Sequence, residues 1–437
     1  MDVSSERRRS PAVSALSLTC RVCATEHPLE AIGSCSRCFG PLDPAYDWEL
    51  LRRTVTRERL ADGPASIWRY ADVLPVAAPT EPRLSPGWTP LVPAPRLAAE
   101  VRVRELWLKL DTANPTHSFK DRVVAVAARK AQELGLGTLA CSSTGNLAAA
   151  VAARAAAEGL DAAVFVPADL EPEKLTAAAA YGPTVYTVDG HYDHCSRLTV
   201  ELSFELPWGF VNVNLRSYYA EGSKTLAYEI AEQLGWRVPD VVVAPIASGA
   251  LFHKLGQGFA ELRELRLVDG VVPSLVGGQA AGCSPVATAF ADGARVIPVR
   301  PGTVARSLAI GSPADGDFAV ATARETGGSI HAVAEEAVGE NMALLARTTG
   351  VFGETATGVT LGALRAALAA GEVRARDRVV LLVTGDGLKT PGPVSFTYAP
   401  VPIEPDAETF LEDVLTLARG GPPEGLRQGR PLRSRLS

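Results

Sequence analysis

The sequence lacks long hydrophobic runs and any marked excess of charge of one sign. No stretch of about 18 apolar residues is free of charges or of Gly and Pro, which argues against a membrane span. Arg7, Arg8 and Arg9 have no apolar run behind them, so no secretory signal is indicated and we expect a cytoplasmic protein. The 43 Lys and Arg stand against 49 Asp and Glu without a long basic run, which gives nucleic-acid binding no support.

The length of 437 residues and the apolar content of 47% are those of an ordinary globular chain with two or three domains. We expect residues 1–17 to be disordered and residues 18–48 to form a separate cysteine-containing segment. Residues 49–400 would form the main α/β region. In 401–437 the pattern predicts a helix over Glu408–Arg419 and then a flexible tail rich in Gly, Pro and Arg.

Four of the seven cysteines form two Cys-x-x-Cys pairs, Cys20 with Cys23 and Cys35 with Cys38. In a cytosolic protein this spacing favours four thiolates around one zinc ion in a zinc-ribbon-like fold over disulfides. A closed four-thiolate site leaves no open coordination position, so the zinc would be structural. A ribbon without metal and a redox pair are the alternatives. His27, between the pairs, is expected to be a surface loop residue rather than a fifth ligand.

Strand-like apolar runs alternate with alanine-rich helical stretches through most of the chain. The alternation predicts βα units, a mostly parallel sheet with helices on both faces, and a doubly wound α/β fold. The predicted strands are Leu106–Leu110, Thr138–Cys141, Ala163–Val166, Thr184–Val188, Val241–Ala244 and Val379–Val383.

Two stretches at predicted helix starts carry side chains suited to catalysis or anion binding. Asn114–Arg122 leads into a helix predicted for Asp121–Leu134, and its Lys120 could form a Schiff base with a carbonyl carbon, although surface lysines are commoner. Ser142–Asn146 joins a strand to a helix predicted for Leu147–Glu158. Its donors would suit a carboxylate or phosphate, and an ordinary capped helix is the alternative.

Two further stretches follow predicted core strands. Pro245–Leu251 is a turn of small residues before a helix, where consecutive N–H groups can converge on a phosphate, but it lacks the Gly-Lys-Ser/Thr ending of a P-loop. Thr384–Lys389 places a hydroxyl at the end of a buried strand, where parallel sheets bind ligands.

Together these stretches resemble the threonine synthases, which are fold type II pyridoxal-phosphate enzymes. The likeness extends from about Cys20 to Pro391 and includes Gly87–Leu91, Tyr218–Thr225, Gln279–Pro285, Ser307–Gly311 and Gly350–Thr355. It implies a lyase with two doubly wound αβα domains, the smaller over roughly 115–215, and a homodimer.

The resemblance also implies roles for individual residues. Lys120 would be catalytic, as the Schiff-base lysine and proton shuttle, and Thr384 would face the pyridine nitrogen. Asn146 would bind the phenolic oxygen of pyridoxal 5'-phosphate. The backbone around the cofactor phosphate would come from Ala247, Ser248, Gly249, Ala250 and Leu251.

The implied reaction converts O-phospho-L-homoserine and water to L-threonine and phosphate. Ser142, Ser143, Thr144 and Asn146 would bind the substrate carboxylate. The candidates for its phosphate are Thr116, Ser118, Arg216 and Lys224.

His117, Val123, Thr357 and Asp386 depart from the family pattern. His117 stands where glycine is usual, so it would either alter substrate choice or be a loop residue without a chemical role. A sister enzyme stays open that eliminates or replaces the phosphate of O-phosphoserine, or of O-phospho-homoserine with a nucleophile other than water. A threonine or serine dehydratase is a further alternative. A non-catalytic regulator that binds an amino-acid phosphate is the alternative from another functional class. Lys120 disfavours it, because a protein that only binds has no need of a Schiff-base amine.

Overall fold

The computed structural model describes residues 14–143, 145–168, 170, 172–397, 405–407 and 410–411. The described residues up to Thr390 form one compact unit. Those from Pro391 onward belong to a second, in which a short 3-10 helix spans Gly392–Thr397. Most of the helix predicted for Glu408–Arg419 lies outside the described residues. Among all the residues that the structure describes, no helix is long and apolar enough to cross a membrane.

A small antiparallel sheet of three strands precedes the main body. Its strands are β1 (Ala15–Cys20), β2 (Glu26–His27) and β3 (Leu42–Tyr46), in the order β2-β1-β3. Strand β1 therefore begins inside the segment that we expected to be disordered. We call this three-stranded segment, residues 15–46, the ribbon. The four cysteines lie at its two turns.

Two short helices and a 3-10 helix connect the ribbon to the main sheets. They are α1 (Trp48–Thr54), α2 (Arg57–Ala61) and the 3-10 helix Ile67–Val73. Each begins at a residue whose side chain accepts a hydrogen bond from the first turn, as is typical of N-caps.

The remaining strands and helices alternate along the chain. The strands are β4 (Leu91–Pro93), β5 (Glu105–Leu110), β6 (Thr138–Ser142), β7 (Asp161–Pro167), β8 (Thr184–Val188), β9 (Gly209–Phe210), β10 (Val241–Pro245), β11 (Ser274–Ala280), β12 (Ser329–Val333) and β13 (Arg378–Val383). The helices are α3 (Pro95–Val101), α4 (Lys120–Glu133), α5 (Asn146–Glu158), α6 (Pro172–Ala179), α7 (Tyr192–Glu205), α8 (Arg216–Glu221), α9 (Thr225–Gln233), α10 (Ala250–Glu264), α11 (Pro285–Asp292), α12 (Gly316–Glu325), α13 (Glu335–Thr349) and α14 (Thr355–Ala369).

The strands form two sheets, which confirms the predicted α/β class. One has six strands in the order β12-β11-β10-β13-β5-β4, with only β4 antiparallel to its neighbour. The other is parallel throughout, in the order β8-β7-β6-β9, and spans residues 138–210. The stretches suited to ligand binding follow the carboxyl ends of β6, β10 and β13, where open parallel sheets bind ligands.

A buried ion network fixes the start of α4. Both edges of the Arg122 guanidinium are used, with Asp111 at 2.8 Å on one side and Glu229 at 2.5 Å on the other. Lys109 lies 2.6 Å from the other oxygen of Glu229. Burial alone would raise the pKa of Glu229, but Arg122 and Lys109 lower it to about 2. The network is complete, so each buried charge has a partner.

Candidate active site and metal site

A cavity of about 590 Å³ lies at the carboxyl ends of β6, β10 and β13. Its walls come from both sheets and from the ribbon. Among the residues that the sequence predicted for the site, those that line it are Ser118, Lys120, Ser142, Ser143, Asn146, Arg216, Ala247, Ser248, Gly249, Ala250, Leu251 and Thr384. Among these predicted residues, the fold brings together positions up to 266 apart, from Ser118 to Thr384.

Lys120 is the first residue of α4 and its side chain reaches the cavity. Its Nζ donates a hydrogen bond to Tyr219 Oη at 3.2 Å. Burial lowers the pKa of Lys120, although the nearby Tyr192 and Glu354 oppose the shift. A lysine with a lowered pKa has more of the neutral amine that a Schiff base requires. The Phe119 N–H donates to Thr384 O at 2.8 Å and so joins this turn to the end of β13.

The turn after β10 has the shape of an anion cradle. Gly249, which precedes α10, has φ of +93°, and a Cβ there would lie 2.5 Å from the carbonyl oxygen of Asp315. Asp315 also donates its backbone N–H to Ser248 O at 2.8 Å. Among the hydrogen bonds of the described residues, none uses the backbone N–H of Ala247, Ser248 or Gly249 as a donor. These groups stand at the N-terminus of a 15-residue helix, which is a natural phosphate site.

The turn after β6 is partly committed to holding its own helix. Ser143 Oγ accepts hydrogen bonds from the N–H groups of Gly145 and Ala148, both at 2.9 Å. Ser142 Oγ accepts from Asn212 Nδ2 at 3.0 Å. Ser143 thus holds the start of α5, although the N-cap itself is Gly145, whose position carries no side-chain cap. Both serines also line the cavity. Thr144 lies outside the described residues.

The side chain of Asn146 is oriented from both ends. Its Nδ2 donates to both carboxylate oxygens of Glu354 at 3.0 Å, and its Oδ1 accepts from Lys389 Nζ at 3.1 Å. Glu354 is 2% exposed and lines the same cavity. A donor at Asn146 is thus held in place, but it is shared with a carboxylate that the sequence interpretation did not include.

Two of the predicted phosphate ligands do not line the cavity. Thr116 gives both its N–H and its hydroxyl to Asp121 Oδ2 at 2.9 Å. Lys224 is fully buried, and its ammonium pairs with Glu221 at 2.6 Å and with Glu261 at 3.1 Å. These acidic partners neutralise the charge of Lys224, which therefore belongs to a buried ion-pair cluster and not to the cavity.

His117 is also outside the cavity. Its backbone has φ of +57°, the ring is exposed, and Nδ1 lies 3.2 Å from the carbonyl oxygen of Thr112. Left-handed backbone favours glycine, which is the residue that the family pattern has there. Ser118 does face the cavity, and within the described chain its buried Oγ has no hydrogen-bond partner.

The cavity contains side chains that the sequence did not single out. Three of them lie within segments that resemble the threonine synthases. Tyr219 is in Tyr218–Thr225, Ser307 in Ser307–Gly311 and Glu354 in Gly350–Thr355. Tyr192, at the start of α7, had no such signal. Neither did the ribbon residues that line the cavity, namely Ala31, Ile32, Gly33 and Ser34.

The four predicted metal ligands converge at one point of the ribbon. Their sulfur atoms all lie within 4.8 Å of one another, and the shortest separation, Cys23 to Cys38, is 3.3 Å. Zn–S bonds of about 2.3 Å at tetrahedral angles place sulfurs about 3.8 Å apart, so the arrangement suits zinc. The expectation that His27 is a surface loop residue was wrong: it is buried in β2, and its Nε2 lies 3.4 Å from Cys35 Sγ. Such a contact orients a ligand without adding one.

The model of the pyridoxal-phosphate dependent enzyme family matches residues 83–385. The threonine synthase of Methanocaldococcus jannaschii is 34% identical over 392 residues, which are 89% of this chain and 96% of that one. The threonine synthase of Methanosarcina acetivorans is 35% identical over 379 residues, 86% and 92% of the two chains. The chain belongs to the threonine synthases. It is thus a pyridoxal-phosphate-dependent lyase.

Solved structures of other pyridoxal-phosphate enzymes share the fold of this threonine synthase family member. Diaminopropionate ammonia lyase from Escherichia coli has a TM-score of 0.60 at 19% identity, covering 70% of this chain and 87% of its own. Maize serine racemase has a TM-score of 0.58 at 20% identity, covering 68% and 89%. At such identities the likeness concerns the fold alone.

The donors in the cavity of this threonine synthase fit pyridoxal phosphate. The cofactor needs an amine, an anion cradle and a polar group at the ring nitrogen. Lys120 would supply the amine, and the uncommitted N–H groups of Ala247, Ser248 and Gly249 would supply the cradle. Thr384, 7% exposed, supplies a hydroxyl at the end of a core strand.

Proposed function

We propose that this enzyme converts O-phospho-L-homoserine and water to L-threonine and phosphate. The observation that carries the proposal is one cavity in which Lys120, the cradle before α10 and the cation Arg216 lie together. The relatives named above support it, because both are threonine synthases that align over most of either chain.

We assign Lys120 to hold the cofactor's carbonyl carbon and to carry protons between substrate carbons. Residues 247–251 would hold the cofactor phosphate through backbone N–H groups, Thr384 the ring nitrogen and Asn146 the phenolic oxygen. The bound cofactor supplies an electron sink. The hydrogen bond from Lys120 to Tyr219 supports the assignment, since it points the amine into the cavity instead of toward a carboxylate.

Two groups of residues would bind the substrate. Ser142 and Ser143 would hold its carboxylate, with Thr144 a candidate from the sequence alone. Arg216 and Ser118 would hold its phosphate, which requires a cation and a free donor. Arg216 lines the cavity with about a quarter of its side chain exposed, and the Ser118 hydroxyl has no partner among the described residues.

We further propose that the four cysteines bind one structural zinc ion, supported by the approach of their sulfurs. Metal analysis of protein purified without chelator should give about one zinc per chain, and none would contradict the assignment. The homodimer is proposed from the family resemblance, and light scattering of the purified chain tests it.

The reaction is tested with a panel of O-phospho-L-homoserine, O-phospho-L-serine, L-threonine and L-serine. We expect phosphate release and threonine, identified by mass, only from the first. Lys120→Ala should abolish both, whereas Arg129→Ala on the same helix should not. Phosphate release without threonine would favour the sister enzyme, and ammonia from threonine or serine would favour a dehydratase.

A further inference from the structure

The ribbon forms one wall of the active-site cavity. The loop between its two cysteine pairs contributes Ala31, Ile32, Gly33 and Ser34. This loop is packed closely, since a Cβ at Gly33 would lie 3.1 Å from the carbonyl oxygen of Val213. Tyr218 Oη also donates to Glu30 O at 2.9 Å. The ribbon is therefore fixed against the segment that begins α8 and carries Arg216.

A chain of ion pairs leads from the cysteine turn to Arg216. Arg21 lies between Cys20 and Cys23, and it donates to Asp43 at 2.6 and 2.7 Å and to Asp315 Oδ1 at 2.9 Å. Asp315 Oδ2 accepts a hydrogen bond from Arg216 Nη2. One carboxylate thus joins a guanidinium of the ribbon to the guanidinium in the cavity.

Asp315 is well placed to transmit a change at the ribbon. Its side chain is only 2% exposed, and its backbone N–H binds Ser248 O in the cradle. Burial alone would raise its pKa, but Arg216 and Arg21 together hold it below the ordinary value. The carboxylate is therefore ionised and shared between two cations.

We propose that Arg21 is a positioning residue that holds Asp315 and so keeps Arg216 available for the substrate phosphate. Without Arg21, Asp315 would pair with Arg216 alone and neutralise more of its charge. Since Arg21 lies between two of the metal ligands, binding of metal at the cysteines fixes it and raises the affinity for phosphorylated substrate. The inference rests on the assignment of Arg216 to the substrate phosphate.

Kinetics of the holoenzyme test this with Arg21→Gln, Arg21→Lys and Arg216→Gln. Arg59→Gln is the matched control, because Arg59 also pairs with an aspartate but is half exposed and does not line the cavity. We expect Arg21→Gln to raise the KM for O-phospho-L-homoserine and the inhibition constant of inorganic phosphate about tenfold, the scale of one charge-assisted hydrogen bond. The kcat and the cofactor absorbance should change little.

Arg21→Lys should restore part of the affinity, because it keeps the charge but cannot bridge Asp43 and Asp315 as a fork does. Adding Arg21→Gln to Arg216→Gln should cause no further rise in KM, since Arg21 acts through Arg216. Removal of metal from wild-type holoenzyme should weaken the binding of inorganic phosphate measured by calorimetry, and zinc should restore it.

The outcomes separate this inference from the proposed function. If Arg216→Gln raises the KM and Arg21→Gln does not, the inference is wrong and the assignment of Arg216 stands. If Arg216→Gln has no effect, both are wrong. Equal loss of kcat and affinity in Arg21→Gln and Arg21→Lys, with reduced thermal stability, would show that the ribbon only stabilises the fold.

Discussion

Gly249→Ala offers a direct test of the cofactor cradle. The φ of +93° at this position is costly for a residue with a side chain, by about 1–2 kcal/mol. The added Cβ would also lie 2.7 Å from the carbonyl carbon of Asp315, whereas carbon atoms in contact lie about 3.5 Å apart. About 1 Å of relative movement is therefore required.

That movement cannot be confined to Gly249. Asp315 donates a backbone hydrogen bond to the carbonyl of Ser248, and its carboxylate accepts one from Arg216. Displacing Asp315 therefore changes the cradle and the cavity together. Strain and overpacking together should weaken cofactor binding by about 1–3 kcal/mol, or about five- to 150-fold in Kd.

Gly293→Ala is the matched control. Gly293 ends α11 with φ of +66°, but a Cβ there would meet nothing within 4 Å. It should therefore cost about 1–2 kcal/mol of stability and leave cofactor affinity unchanged. The assay removes the cofactor, titrates it back and follows absorbance, with thermal melting alongside. A wild-type Kd for Gly249→Ala would refute the cradle, and an equal loss in both variants would reduce the effect to backbone strain.

Three other changes test separate parts of the structure. Thr384→Asp should favour protonation of the ring nitrogen and replace threonine by products of elimination or transamination, while Thr384→Ser should not; mass analysis of products decides this. The pKa of Glu229 is about 2 in the folded chain, against about 4.5 for an ordinary glutamate. Its ion pairs therefore stabilise the fold fully above about pH 4.5, and this stability is lost as the pH falls toward 2. Glu229→Gln should therefore flatten the acid side of the stability profile measured by denaturant unfolding. His117→Gly should leave the ranking of substrates and its pH dependence unchanged, because the ring is outside the cavity; a changed ranking would place His117 at the substrate.

The predictable part of the fold is the part determined by local pattern. All six predicted strands are present, with ends within two residues of those expected. Strand β11 was missed because its apolar run is only Leu275 and Val276, after which Gly277 and Gly278 interrupt the pattern that marks a strand. The structure gives the reason for the small residues: a Cβ at Gly277 would lie 2.4 Å from Ile246 Cδ1.

The site was predictable where residues follow parallel strands, because such strand ends meet at one edge of a sheet. It was not predictable where distant partners decide the role of a side chain. Lys224 lies within Tyr218–Thr225, a segment that resembles the family, yet Glu261 on α10, 37 residues away, helps to neutralise it. For Arg21 the sequence predicted no role at the site. Only the fold reveals that Asp315, 294 residues away, joins it to the cavity.

The ribbon belongs to the catalytic unit instead of being an appended module. Strand β3 places Asp43 against the fully buried Lys254 at 2.8 Å, and Tyr46 Oη donates to the buried Glu221 at 2.6 Å. Lys254 and Glu221 also pair with each other, so the charges of α8 and α10 are balanced partly by the ribbon. Taking one partner from a buried ion pair costs about 3–5 kcal/mol, a large share of the stability of a domain. The same contacts that make the ribbon inseparable from α8 and α10 hold its loop against the cavity, so stability of the fold and the shape of the site depend on one set of residues.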